Sequence, residues 1–105
     1  MNKQELLNCA ADYIEENGFN TGTYFAGEVG ITRKINNCPA CAVGAMIACD
    51  PISKKQYEEE YAGRAVTTVA DLLGMTVEET EQIYDYNDSH TKEEVVAWLR
   101  GGMPL

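Results

Sequence analysis

Residues 67–83 read TTVADLLGMTVEETEQI, and the fold turns on how this stretch divides. Upstream of it Tyr57, Tyr61, Ala65, Thr68, Val69 and Leu72 recur at helical spacing, so one long helix is expected from Ser53 to the stop at Gly74. Thr76 followed three residues later by Glu79 is a capping pair, and it opens a second helix from Val77 to about Tyr86. Two helices joined by so short a turn have the outline of a DNA-reading pair. The second helix, however, would offer Glu78, Glu79, Glu81, Asp85 and Asp88 to the phosphates, with no Lys or Arg among them. Phosphate neutralisation dominates nucleic-acid affinity, so this pair is expected to be a packed hairpin with no direct nucleic-acid contact.

The same capping signature recurs outward along the chain, at Asn2/Glu5, Ser53/Gln56 and Thr91/Glu94. Behind Asn2, the residues Leu6, Ala10, Tyr13 and Ile14 form a stripe that Asn17-Gly18 ends, which predicts a helix from about Lys3 to Asn17. A last helix, Lys92 to Arg100, carries Val95, Val96, Trp98 and Leu99. Pro39 suits a first helical turn, and the run 40–49, ACAVGAMIAC, continues that helix to Asp50-Pro51 with residues small enough to admit a close neighbour. Asn87-Asp88-Ser89-His90 reads as punctuation between helices. From residue 18 to Cys38 the glycines Gly18, Gly22, Gly27 and Gly30 interrupt the pattern, leaving a Gly-rich loop or a short hairpin around Thr23 to Phe25 and Ile31 to Arg33. The expected fold is mainly α: a small orthogonal bundle of about five helices, residues 1–105 forming one domain.

Charge narrows the function classes more than length does. Seventeen Asp and Glu against eight Lys and Arg leave a net charge of -9, a field that repels phosphates and anionic lipid heads. The excess concentrates between Asp71 and Glu94, where eight carboxylates face Lys92 alone. Neither an export signal nor a run approaching the roughly 20 apolar residues of a membrane span is visible. A cytoplasmic protein without a membrane partner is expected.

Without that export signal, Cys9, Cys38, Cys41 and Cys49 are expected as thiols rather than disulfides. Cys38-Pro-Ala-Cys41 at a helix entrance has the spacing of a dithiol or of two zinc ligands, with Cys49, Cys9 and His90 as candidates to complete a metal set. No second such pair follows, and no strand leads into the helix as a redox dithiol would require. A hydrolase inventory also exists, with Cys41 as nucleophile, His90 as base and Asn87 or Asp88 as orienting group. The plain alternative is that these small side chains fill narrow gaps between helices.

At Cys41-Ala42-Val43-Gly44-Ala45, Leu72-Leu73-Gly74, Ile83, Asn87-Asp88 and Thr91 to Val95, the chain resembles a family of small uncharacterised helical proteins of bacteria and their phages. That family has an aromatic before its Asn-Asp pair, a place taken by Tyr86. The resemblance implies a helical fold and a phage-like context, and no reaction. Cys38 falls outside its pattern.

Taken together, a non-enzymatic acidic interaction module is expected, of the kind a phage uses to occupy a basic host surface in the host cytoplasm. Its surface would be Glu78, Glu79, Glu81, Asp85 and Asp88, with Glu58, Glu59 and Glu60, and its partner a basic protein. No cofactor is expected, zinc being the alternative. The rival classes are a zinc- or thiol-dependent protein centred on Cys38 and Cys41, and the cysteine hydrolase.

Overall fold

The first helix starts where a short polar side chain can stand in for missing backbone partners. In the computed structural model, which describes residues 2–26, 35, 37–60 and 62–104, the Asn2 side chain accepts from Glu5 N at 2.8 Å and donates to the Glu5 carboxylate at 2.7 Å. Helix α1 runs Lys3–Asn17 and ends at Gly18, whose φ of 108 no side-chain-bearing residue adopts cheaply. Helix α2, Ala42–Cys49, is capped by Cys41 rather than begun by Pro39. Residues 39–41 are instead extended, because the loop after α1 hydrogen-bonds them. Asn20 N and Ala26 N donate to the carbonyls of Ala40 and Pro39, while Ala40 N and Cys41 N donate to those of Gly18 and Tyr24. Phe25 thus pairs with Ala40; the partner expected at Ile31 to Arg33 lies outside the described residues.

The long helix expected from Ser53 to Gly74 is two. Helix α3 covers Pro51–Glu59 and α4 covers Ala62–Leu73, with Glu60 between them at φ -115, ψ -103. Gly63 makes this the weakest helical stretch of the run, since glycine costs about 1 kcal/mol against alanine. The start of α3 is also corrected. Asp50, not Ser53, is its cap: the Asp50 carboxylate accepts from Ser53 N at 2.9 Å and from Ser53 Oγ at 2.7 Å. Helix α5, Val77–Ser89, and α6, Lys92–Arg100, both open with complete capping boxes, Thr76/Glu79 and Thr91/Glu94. Asn87, Asp88 and Ser89 are the last turn of α5, not punctuation; the helix stops at His90.

Among the described residues the architecture is therefore mainly α, with six helices and isolated bridges in place of strands. Helix α2 lies at the centre: every residue from Ala42 to Ile47 is buried, and α1, α3, α4 and α5 all pack against it. Leu6, Leu7, Ala10, Ala11 and Ile14 of α1 face Val43, Met46 and Ile47 in one cluster, which Val69, Ile83, Val95 and Leu99 extend. Each large aliphatic side chain removed from water there contributes roughly 2 kcal/mol. The small residues of α2 do admit a close neighbour, and it is a loop as well as a helix. A Cβ on Gly44 would lie 2.2 Å from the Tyr24 carbonyl oxygen, so only glycine lets residues 19–26 lie on α2. No helix among the described residues is long and apolar enough to cross a membrane.

Candidate interaction surface

The outer face of α5 follows from what its inner face must do. Thr80, Ile83 and Asn87, at helical spacing, are buried. The Asn87 amide oxygen accepts from Ala42 N at 2.8 Å, at the mouth of α2, and its amide nitrogen donates to Asn20 O at 3.0 Å. One buried side chain thereby holds α5, α2 and the 19–26 loop in register. With that face fixed, Glu81, Asp85 and Asp88 project along the opposite side at intervals of four and three residues, spanning about 10 Å of helix.

These carboxylates border a cleft of about 520 Å³, walled also by Tyr24, Tyr84, Val66, Val77 and Thr80. Tyr24 and Tyr84 stack with ring centroids 5.0 Å apart, and Tyr57 meets Tyr24 edge-on at 6.4 Å. Burial raises the pKa of both stacked tyrosines; a hydrogen bond between them then lowers Tyr24 and raises Tyr84 further, so both are neutral at physiological pH. A second cleft of about 560 Å³ opens on the far side of the same pair, lined by Asn20, Thr23, Phe25 and Tyr57 among others.

The eight carboxylates of the expected surface differ in their partners. Asp88 Oδ1 accepts from Gly22 N at 3.1 Å and from Asn87 Nδ2 at 3.2 Å. Glu79 is engaged in the Thr76 capping box. Glu58 of α3 accepts from Ile35 N at 2.8 Å, and Glu60, just after that helix, pairs with Arg64 at 2.6 Å, while Glu59 is exposed. Glu78, Glu81 and Asp85 are exposed, and among the described residues no cation pairs with them or with Asp88.

The cysteines arrange themselves differently from expectation. Cys9 of α1 and Cys49 at the end of α2 form a disulfide, with Cα atoms 6.1 Å apart, so two of the four expected thiols are bonded to each other. Helix packing brings together residues 40 positions apart, a proximity that no local spacing encodes. Cys41 is fully buried, its Sγ accepting from Gly44 N at 3.4 Å, and burial pushes its thiol from 9.0 up to about 11. A thiol so placed is neither a thiolate nor open to substrate at neutral pH. His90 is engaged elsewhere: Nδ1 lies 2.8 Å from Tyr86 O and 3.0 Å from Ser89 Oγ, and its ring stacks on Tyr86, which stacks in turn on Trp98. Among the described hydrogen bonds none joins His90 to Cys41, and Asn87 and Asp88 bond Ala42, Asn20 and Gly22 and not the histidine. Nor does the structure gather Cys38, Cys41, Cys49 and His90: among the described residues no three His, Cys, Asp or Glu side chains group as a metal site. Cys38 is half-buried, its carbonyl accepting from the Tyr13 hydroxyl at 2.8 Å.

A family model described as a family of unknown function, DUF6197, matches residues 1–102. The chain belongs to that family. No curated protein and no solved structure matches the chain. Membership in DUF6197 agrees with the resemblance to uncharacterised proteins at that level, and assigns no activity. The residues that line the cleft are only partly visible in the sequence: Glu81, Asp85 and Asp88 stand out by charge, whereas Tyr24 lies in the glycine-interrupted segment, and Asn87, which anchors Asp88, reads as a helix terminator. The glycine within the small-residue run of α2 was the one clue that backbone would pass there.

Proposed function

We propose that this protein is a non-enzymatic interaction module whose α5 face engages a basic surface on a protein partner. The observation that carries the reading is the set Glu78, Glu81, Asp85 and Asp88, exposed on one helix with no described cation to neutralise it. Unpaired like charges on a folded surface raise the free energy of the free state, and a complementary partner relieves it. The resemblance stated above adds a phage setting. There the partner is a host protein whose basic, nucleic-acid-binding surface the module occupies as an inhibitor, without a cofactor.

Capture of partners on the immobilised full chain, followed by elution with salt, tests the reading. Partners held by this face are released between about 0.1 and 0.5 M salt, as screening shortens to a few ångströms. Retention unchanged at high salt overturns it.

A further inference from the structure

We infer that the cleft between α4 and α5 receives a single arginine side chain of that partner. The inference rests on the interaction reading and gives it a point of contact. Carboxylates alone attract cations diffusely. This cleft adds the aromatic rings of Tyr24 and Tyr84 and apolar lining from Val66 and Val77, so it has both a shape and a charge. A guanidinium suits such a lining because it is planar, weakly hydrated, stacks on aromatic rings and bonds carboxylates through a fork of donors. The methylene stem of the same side chain finds its match in the two valines.

Asp88 gives the site a fixed element. Its Oδ1 is held by Gly22 N and Asn87 Nδ2, and Asn87 is anchored in turn to Ala42 and Asn20, which leaves Asp88 Oδ2 without a described partner. One carboxylate oxygen is therefore positioned by the core before any ligand arrives. The side chains of Glu81 and Asp85 have no described hydrogen bond and are free to close on a cation. Neutral tyrosines at physiological pH keep an aromatic surface beside them. An arginine side chain can meet carboxylates, rings and valines of this lining together, whereas a bound small ion would leave the apolar part unused.

The test is an NMR titration of the full chain with N-acetyl-arginine amide, compared with the neutral isostere N-acetyl-citrulline amide. Saturable shifts centred on Glu81, Tyr84, Asp85 and Asp88 are expected, with citrulline weaker by about tenfold or more. Glu81→Gln and Asp85→Asn, whose side chains hold no described structural contact, should each weaken the arginine probe severalfold. Glu59→Gln, an equal change of charge on α3, should not. Absence of saturation up to roughly 50 mM probe, or equal loss in Glu59→Gln and Asp85→Asn, overturns the site. If the probe fails while salt-released capture succeeds, the cleft is wrong and the interaction reading stands. If the probe binds while capture ignores salt, the interaction reading falls and the arginine site remains.

Discussion

The amide oxygen of Asn87 accepts the backbone N–H of Ala42 at 2.8 Å, so a side chain near the end of α5 supplies the partner that the first turn of α2 lacks within its own helix. A cap donated from 45 residues away couples two helix ends that sequence proximity would not. Replacing Asn87 by Leu keeps the branched outline and leaves the buried Ala42 N–H and the half-buried Asn20 C=O without this partner. The expected cost is about 2–4 kcal/mol, read as a lowered midpoint of urea unfolding by the fluorescence of Trp98. A change within error would show that water takes over both groups.

Gly44→Ala separates helix propensity from packing. In an isolated helix the substitution stabilises by about 1 kcal/mol. Here the new Cβ meets the Tyr24 carbonyl at 2.2 Å, and backbone cannot move aside as a side-chain tip can. A net loss of about 2 kcal/mol or more is expected, with the largest amide chemical-shift changes in residues 22–26. Stabilisation would show that the loop does not lie on the helix.

Reduction of Cys9–Cys49 should lower stability without unfolding the protein. The bridge closes a loop of 40 positions, for which chain entropy gives about 4 kcal/mol. The apolar contacts between α1 and α2 persist without it. Urea titrations with and without a dithiol measure the difference, and far-ultraviolet circular dichroism should be unchanged in reduced protein before denaturant is added. Equal midpoints would mean that the two sulfurs are not bonded.

Cys41 and Cys38 should part company under alkylation. Native protein at pH 7.5 is expected to take up one equivalent of iodoacetamide, at half-buried Cys38, while fully buried Cys41 reacts only after unfolding. Peptide mapping decides this. Because burial raises the folded Cys41 pKa from 9.0 to about 11, the unfolded state releases its proton first as pH rises. The stability that follows from a neutral thiol is present below about pH 9 and is lost toward pH 11. Cys41→Ala should flatten that part of the stability profile.

What was legible in the sequence is what local chemistry decides. Asn2, Thr76 and Thr91 mark helix starts because a short polar side chain bonds its own N3 amide, and all three do so. Asn87 and Pro39 were misread for one shared reason: each has a strong local preference, to end or to begin a helix, that a distant partner overrides. Asn87 is spent on Ala42 and Asn20, and Pro39 lies in an extended stretch tied down by Ala26. The split at Glu60 was written locally, in Gly63, but the apolar stripe on both sides of it outweighed that signal. The acidic character of the site was plain. Its aromatic lining was not, because Tyr24 reaches Tyr84 only once Gly44 has let the loop down onto α2.

The link between Cys9 and Cys49 also decides what becomes of a severed chain. Any protease cut at a peptide bond between these two residues would open a ring and not divide the molecule, since both products carry half of one bridge. The nicked protein would still migrate as a single species on a gel until a reductant is added. The N-terminal helix, which supplies Leu6, Leu7 and Ile14 to the core, would remain tethered at high local concentration to the helices it packs against. Topologically, the whole span from Cys9 to Cys49 is expendable as a connector, even though parts of it are indispensable as packing.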